Sequence, residues 1–181
     1  MADESGTARA YVAVGSNVEP HENVPAAVAM LASHVEVLAA STFYRTEPLA
    51  GPGEAPGGEA EFLNGVLAIR TALGPRELKR DVLRGIEGAL GRDRTAGRHG
   101  PRTIDLDLVL YGEEVIDEPG LTLPSGDLDR PFVAIPLREL APDLVLPHTR
   151  QPLSCLWGAS PLPGMVRDGA CTRAVREAMS R

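Results

Sequence analysis

The sequence lacks a long apolar segment and has few cysteines, and each absence excludes a class of protein. No stretch approaches the roughly 18 consecutive apolar residues of a membrane-spanning helix, and no apolar segment resembles a signal peptide. The two cysteines, Cys155 and Cys171, could pair, but they lack metal-site spacing and nothing else indicates an oxidising compartment. We therefore expect a cytoplasmic protein that does not span a membrane.

Positive charge is also scarce. The 181 residues carry a formal net charge of −7, which argues against non-specific binding to nucleic acid. Lys79 is the only lysine among 18 basic residues, so the number of arginines does not by itself indicate phosphate binding and only their positions are informative. With 43% hydrophobic residues, a chain of this length is expected to form one globular domain with a sizeable core.

Residues 104–111 alternate between two chemical types, which predicts a half-buried strand. One face is aliphatic and consists of Ile104, Leu106, Leu108 and Leu110. The other face carries Asp105, Asp107, Val109 and Tyr111. Residues i and i+2 on one face lie roughly 6–7 Å apart, so the two carboxylates can share a hard cation such as Mg²⁺.

An arginine-rich segment precedes this strand. Within eleven residues it contains Arg92, Arg94, Arg98 and Arg102, interspersed with Gly97, Gly100 and Pro101. Carboxylates that hold Mg²⁺ and guanidiniums that bind phosphate oxygens are the groups that transfer from a nucleoside triphosphate requires. The alternative is a solvated acidic face whose arginines form surface ion pairs. The clustering of charge beside a Gly-Pro hinge favours the functional interpretation.

Periodicity over the chain predicts the order β-α-β-β-α-β. The predicted strands cover 10–14, 35–46, 62–71 and 104–111, and the predicted helices cover about 24–34 and 75–90. This order indicates an α+β fold, a ferredoxin-like and mostly antiparallel sheet flanked by helices in a single domain. We expect a disordered N-terminus over 1–9, the domain over 10–147, and a C-terminal extension over 148–181 that packs on the domain.

Three polar or Gly-rich features each have two interpretations. Gly15-Ser16-Asn17 is either a simple turn or a set of backbone N–H groups for an anion. The Gly/Pro-rich segment 47–61 is either a mobile substrate loop or a linker. Asn64, in an otherwise apolar strand, either bonds a neighbouring loop or recognises the edge of a heterocycle.

Several motifs occur in the order found in one enzyme family. They are Tyr11-Val-Ala-Val-Gly-Ser-Asn17, Ser41-Thr-Phe-Tyr-Arg-Thr-Glu-Pro-Leu49, Phe62-Leu-Asn64, Gly91-Arg92-x-Arg94, Gly100-Pro-Arg-Thr-Ile-Asp-Leu-Asp-Leu108 and Arg130-x-Phe132. Over roughly residues 10–147 the chain closely resembles 6-hydroxymethyl-7,8-dihydropterin pyrophosphokinase of folate biosynthesis. The Gly-Pro-Arg-Thr-x-Asp-Leu-Asp block is a highly specific motif.

The resemblance implies that the chain transfers the terminal diphosphate of ATP to the hydroxymethyl oxygen of the pterin and releases AMP. It implies two small-molecule substrates, ATP and the pterin, and two Mg²⁺ ions held by Asp105 and Asp107. The implied catalytic residues are Arg92, Arg102, Asp105 and Asp107. The implied pterin-binding residues are Thr46, Pro48, Leu49, Phe62, Asn64 and Phe132. The implied nucleotide-binding residues are Glu87, Arg94, His99, Leu108, Thr122 and Arg130.

The chain departs from the family pattern on the nucleotide side. His99 stands where the family often has tryptophan, Gly120 where some members have arginine, and Ser125 where a histidine commonly follows the proline. These departures leave open a relative that binds pterin or nucleotide without catalysis. The acidic pair alone leaves open another Mg²⁺-dependent phosphohydrolase or nucleotidyl transferase. The combined motifs favour the pyrophosphokinase.

Overall fold

The computed structural model describes residues 6–47, 61–92, 101–156 and 161–180. Most of the Gly/Pro-rich segment 47–61 and most of the arginine-rich segment therefore lie outside the described residues. The strands are β1 (Ala8–Ser16), β2 (Glu36–Ala40), β3 (Tyr44–Thr46), β4 (Phe62–Thr71), β5 (Asp105–Tyr111), β6 (Ile116–Glu118), β7 (Leu121–Leu123) and β8 (Val166–Arg167). The α-helices are α1 (Pro20–Ala32), α2 (Pro75–Glu77), α3 (Arg84–Ala89), α4 (Pro131–Leu140) and α5 (Gly169–Ala178). A π-helical turn (Leu78–Leu83) joins α2 to α3, and short 3₁₀ helices cover Gly126–Asp129 and Leu153–Cys155.

The main sheet is antiparallel between all of its paired strands. Its order is β5-β1-β4-β3-β8, with β2 also paired to β4, and β6 and β7 form a separate hairpin. This combination of helices with an antiparallel sheet in one domain confirms the predicted α+β class. β1 begins two residues before the predicted start of the domain, because Ala8 and Arg9 already pair with Thr71 and Arg70 of β4.

The sheet separates two hydrophobic clusters. The first is formed with α1, α3 and α5 and includes Leu31, Leu67, Ile86, Leu108 and Val175. The second lies on the α4 side and includes Tyr11, Val66, Val109, Val133 and Leu137. Burial of each such side chain contributes roughly 1.5–3 kcal/mol, so both faces of the sheet are held by packing. Among the described residues, no helix combines the length and the apolar character needed to cross a membrane.

The predicted strand over 35–46 is two strands, so the prediction is wrong at 41–43. Ser41 still bonds β4, because its N–H donates to Val66 O at 3.0 Å and its Oγ accepts the Val66 N–H at 2.9 Å. The next two amides leave the sheet and donate to side chains: Thr42 N–H to Glu139 at 2.8 Å and Phe43 N–H to Thr172 at 3.0 Å. Side chains from other elements therefore replace the hydrogen bonds between strands at this point.

The predicted alternation along β5 holds as far as Val109 and then reverses. Val12 of β1 pairs with Leu108 and Tyr11 with Leu110, so Val109 is an extra residue in β5. Such a bulge shifts the faces by one residue. Leu110 accordingly packs in the second cluster and Tyr111 against the first, opposite to the prediction.

The C-terminal segment adds to the sheet edge and to the first cluster. β8 pairs with β3, and the Asp168 N–H donates to Phe43 O at 2.8 Å. The Asp168 side chain caps α5 by accepting the Cys171 N–H at 2.8 Å. Cys155 and Cys171 are both free thiols, and burial together with the nearby Asp168 raises the pKa of Cys171 to about 12.

Gly65 of β4 is a position where the fold requires glycine. A Cβ added there would lie 2.8 Å from three carbons of the buried Phe43 ring. We expect Gly65→Ala to lower the free energy of unfolding by about 1–3 kcal/mol, because the ring has to move within a packed cluster. Urea denaturation followed by circular dichroism measures this change.

Gly88→Ala is the matched control. Gly88 is exposed in α3, and a Cβ added there meets no atom within 4 Å. Alanine in a helix interior is favoured over glycine by roughly 0.5–1 kcal/mol, so this variant should unfold at an equal or higher urea concentration. An unchanged midpoint for Gly65→Ala would contradict the assigned packing of Phe43.

Candidate active site

A cleft opens at the ends of β1, β4 and β5, on the face of the sheet that carries α4. Its walls come from these three strands, from the segment before α4 and from the start of α4. The lining residues are Ala13, Val14, Gly15, Phe62, Asn64, Gly65, Arg102, Asp105, Asp107, Asp127, Arg130, Phe132 and Val133. The cleft thus brings together predicted catalytic, pterin-binding and nucleotide-binding residues from distant parts of the sequence.

Asp105 lies between two guanidiniums. Arg92 Nη1 donates to its Oδ1 in a short contact, and Arg102 Nη1 donates to its Oδ2 at 2.7 Å. Burial by itself would raise the pKa of Asp105, but the hydrogen bond from Arg92 and the charges of Arg92 and Arg102 lower it below the ordinary value. Asp105 is therefore an anion over the physiological pH range.

Glu87 of α3 is buried and completes this cluster. The same Nη1 of Arg92 donates to Glu87 Oε1 in a short contact, and Glu87 Oε1 also accepts the Leu106 N–H at 2.9 Å. β5 has a neighbouring strand only on the β1 side within the described sheet, so this carboxylate satisfies an amide on its open edge. Glu87 therefore fixes both the arginine and the strand that carries the aspartates.

Asp107, on the same face as Asp105, has different partners. Lys79 Nζ lies 3.2 Å from its Oδ1, and Ser125 Oγ donates to its Oδ2 at 2.5 Å. Its two oxygens are thus held by an ammonium and a hydroxyl from two separate elements.

The Gly15-Ser16-Asn17 segment, at the end of β1, holds the backbone that precedes Asp105. Asn17 N–H donates to Arg102 O at 3.0 Å, and Asn17 Oδ1 accepts the Arg102 N–H at 2.7 Å. Ser16 Oγ donates to Thr103 O at 2.6 Å. In this structure the segment binds its own chain, but Gly15 and Ser16 are the last residues of β1, so the predicted turn is wrong at these two positions.

Asn64 is oriented by its neighbours. Its Nδ2 donates to Thr46 Oγ1 at 2.7 Å, and both side chains are buried. A Cβ on Gly15 would lie 2.8 Å from Asn64 Oδ1, so glycine is required there for the amide to keep this position. Two arginine side chains stack on aromatic rings nearby. The guanidinium of Arg102 lies over the ring of Phe62 and that of Arg130 over the ring of Phe132, each 5.8 Å from the ring centroid.

Some predicted site residues lie away from the cleft. Leu108 is fully buried in the first cluster, on the opposite face of β5 from the aspartates. Thr122 is exposed on the β6–β7 hairpin, where it pairs with Asp117. Pro48, Leu49, Arg94 and His99 lie outside the described residues.

Three further residues of the site, Lys79, Ser125 and Asp127, were not among the predicted site residues. Burial raises the pKa of Asp127 above its ordinary value, Arg130 opposes this rise, and the charges of Asp107 and Asp105 add to it. The position of Lys79 as the only lysine was a usable signal, but its contact with Asp107 spans 28 residues and could not be derived from spacing.

The donor set fits magnesium. Within the described ranges, no group of three or more His, Cys, Asp or Glu side chains is placed to hold a metal ion. Asp105 and Asp107 offer two carboxylates on one strand face, and Mg²⁺ is commonly held by one or two carboxylates, with water and substrate phosphates as its remaining ligands.

Comparisons with known proteins agree with one another. A family model described as 7,8-dihydro-6-hydroxymethylpterin-pyrophosphokinase (HPPK) matches residues 11–142. The 2-amino-4-hydroxy-6-hydroxymethyldihydropteridine pyrophosphokinase of Pseudomonas aeruginosa is 44% identical over 163 residues, which cover 88% of this chain and 96% of that protein. The Haemophilus influenzae protein of the same name is 42% identical over 145 residues, 78% of this chain and 86% of that protein.

Similarity to solved structures extends to the fold. A Plasmodium falciparum HPPK-DHPS structure superposes with a TM-score of 0.63 over 83% of this chain, at 13% sequence identity. The match covers 45% of that longer chain, so the present chain spans less than half of it. The likeness at this identity concerns the fold alone. The family match and the two bacterial relatives go further: the chain belongs to the 7,8-dihydro-6-hydroxymethylpterin-pyrophosphokinase (HPPK) family.

Proposed function

We propose that the cleft binds ATP and 6-hydroxymethyl-7,8-dihydropterin side by side and aligns them for transfer of the terminal diphosphate. The observation that carries this proposal is that Asp105 and Asp107 share one cleft with Asn64 and with two phenylalanine rings. An arginine guanidinium stacks on each of these rings. The predicted pyrophosphokinase activity in folate biosynthesis is confirmed by the family model and the relatives. No finding favours the catalytically impaired alternative.

The pterin would lie against Phe62 and Phe132. Their rings offer apolar faces to a flat heterocycle, and the buried amide of Asn64 offers a donor and an acceptor to its edge. Thr46 fixes the orientation of that amide through the 2.7 Å hydrogen bond. Pro48 and Leu49 remain proposed contacts from the adjoining segment.

The phosphates of ATP would be bound by Arg92, Arg102 and Arg130. Arg102 and Arg130 line the cleft, and Arg92 reaches Asp105 from its edge. Planar guanidiniums suit phosphate oxygens because they donate two parallel hydrogen bonds.

Arg94 and His99 remain proposed nucleotide contacts. We propose that Glu87 acts by holding Arg92, and we retain Thr122 and the Leu108 segment as proposed nucleotide contacts.

Asp105 and Asp107 would hold two Mg²⁺ ions. When bound, Mg²⁺ neutralises charge on phosphate oxygens and orients them. The chain itself contributes positioning: the hydroxymethyl oxygen is an unactivated nucleophile, and the cleft offers fixed cations and a fixed amide on either side of the transfer. Effective-molarity arguments allow roughly 7–11 kcal/mol of the barrier to come from such alignment.

Further assignments concern the fold and the setting of the protein. We propose a ferredoxin-like arrangement, which the order β5-β1-β4, with β2 and β3 both beside β4, supports. A cytoplasmic location and the absence of nucleic-acid partners remain predictions from the sequence.

One assay tests the function. The purified chain is incubated with ATP, Mg²⁺ and 6-hydroxymethyl-7,8-dihydropterin, and AMP is quantified by chromatography. We expect AMP and pterin diphosphate in equal amounts, and no AMP when the pterin or Mg²⁺ is omitted. A folded protein that binds the pterin but releases no AMP would support the impaired alternative. AMP release without pterin would support a different phosphohydrolase.

The acidic pair gives the first prediction from the site. We expect Asp105→Asn and Asp107→Asn each to lower turnover by roughly 10²–10³-fold or more, because each removes an anionic ligand of the metal ion that would neutralise the phosphates. Pterin affinity, measured by calorimetry without nucleotide, should change far less. Asp117→Asn, the same change on the exposed β6–β7 hairpin, is the control and should retain turnover. Near-normal rates in either cleft variant would remove that aspartate from the metal assignment.

The amide gives the second prediction. We expect Asn64→Ala to weaken pterin binding by about 1–3 kcal/mol, because it leaves groups on the heterocycle unpaired. Affinity for a non-hydrolysable ATP analogue should stay near the parent value. Thr46→Val, which keeps the shape but removes the acceptor for Asn64, should give a smaller loss for the pterin alone. Calorimetric titrations of both ligands measure these effects, and equal losses for pterin and nucleotide would contradict the role of Asn64.

A further inference from the structure

We propose that the ammonium of Lys79 occupies Asp107 as a built-in counter-ion and competes with Mg²⁺ for it in the nucleotide-free protein. Lys79 would thereby be a positioning residue that sets the affinity of the protein for free metal. The inference rests on the proposed function, in which Asp107 is a metal ligand.

The contact itself is the first observation. Lys79 Nζ lies 3.2 Å from Asp107 Oδ1, and both side chains are about three-quarters shielded from solvent, with 22% and 25% exposed. Ser125 Oγ holds the other oxygen at 2.5 Å. A metal ion that approaches Asp107 Oδ1 therefore meets a positive charge already in place.

The two aspartates are neutralised unequally. Asp105 contacts two guanidiniums, Arg92 and Arg102, one on each oxygen. Asp107 contacts a single ammonium among the ion pairs of the described residues. An ammonium is a compact charge on a flexible stem, whereas a guanidinium is a rigid fork that loses less entropy per hydrogen bond. Lys79 is therefore the partner that a small divalent cation displaces most readily.

The helix geometry directs Lys79 to this position. In a regular α-helix, residues eight apart, such as Lys79 and Glu87, differ by about 80° in direction. The π-helical turn (Leu78–Leu83) includes Lys79, whose carbonyl accepts the Arg84 N–H, and such a turn absorbs about one residue. The angle between the directions of Lys79 and Glu87 around the helix axis therefore falls to that of residues seven apart, about 20°. Lys79 and Glu87 thus both reach β5, one at Asp107 and the other at the Leu106 N–H.

The ammonium has room to leave Asp107. A cavity of about 170 Å³ adjoins Lys79 and is lined by Arg76, Arg80, Arg84 and Glu118, with Pro119, Gly120 and Leu121. Two of its three guanidiniums are already paired, Arg76 with Glu118 and Arg80 with Asp81. Because the Lys79–Asp107 ion pair has to break before a metal ion binds Asp107, free Mg²⁺ should bind more weakly than two carboxylates alone would allow.

The test is a Mg²⁺ titration of the full nucleotide-free chain by calorimetry. We expect Lys79→Met to bind Mg²⁺ roughly three- to tenfold more tightly than the parent, the range of a partly shielded ion pair. In EDTA the variant should melt at a lower temperature than the parent, and Mg²⁺ should raise its melting temperature by more. Lys79→Gln, which keeps a polar side chain, should give the same result if the methionine variant folds poorly.

Two variants separate the local contact from general charge. Arg84→Met removes one positive charge from the same helix and the same cavity, and none of the described contacts joins it to Asp107. Its Mg²⁺ affinity should stay near the parent value. Lys79→Arg keeps the charge on a less readily displaced group, so it should bind Mg²⁺ as weakly as the parent or more weakly.

The outcomes distinguish the inference from the function beneath it. Tighter Mg²⁺ binding by Lys79→Met but not by Arg84→Met supports the inference. Unchanged or weaker binding by Lys79→Met, or an equal gain in both variants, overturns it while leaving the metal site in place. If Asp107→Asn binds Mg²⁺ as the parent does, both with and without a non-hydrolysable ATP analogue, the assignment of Asp107 as a ligand fails and the inference fails with it.

Discussion

The shared contact of Arg92 with Glu87 and Asp105 is the interaction on which the site depends. It joins the helix α3, the start of the arginine-rich segment and the strand β5. Charged groups at this depth are unfavourable unless they are paired, and removal of one partner would leave an uncompensated charge. Because Glu87 also accepts the Leu106 N–H, the position of the acidic strand and the position of the guanidinium are fixed together.

The cleft balances its charges internally. Asp105 is neutralised by guanidiniums and Asp107 by an ammonium, whereas Arg130 pairs with Asp127 at 2.9 Å. In the proposed function, the phosphates of ATP would replace the carboxylates as partners of the arginines, and Mg²⁺ would replace the cationic side chains as partner of the aspartates. Each charged group would then keep a partner of opposite charge, and the substrates would enter a site whose polar groups are already oriented. The pairs therefore serve as preorganisation for electrostatic stabilisation.

Local patterns predicted much of the fold. Strand β4 has the predicted bounds, and the acidic residues of β5 leave the strand on one face, because a two-residue period depends only on the chain itself. The break at Ser41–Phe43 and the bulge at Val109 were not predicted. Both features occur where the backbone bonds a group outside the neighbouring strand. At Ser41–Phe43 two of the backbone N–H groups donate to the side chains of Glu139 and Thr172. At the bulge, Val109 O accepts the Ser125 N–H at 2.9 Å.

The sequence by itself determined the two neighbouring carboxylates and the strand face that carries them, since side-chain alternation is a property of neighbouring residues. Tertiary structure decided which cations those carboxylates contact. Lys79 reaches Asp107 because a π-helical turn changes the phase of the helix, and Ser125 reaches it from beyond the hairpin. Contacts between residues 18 and 28 positions apart depend on packing between elements, which no local spacing encodes.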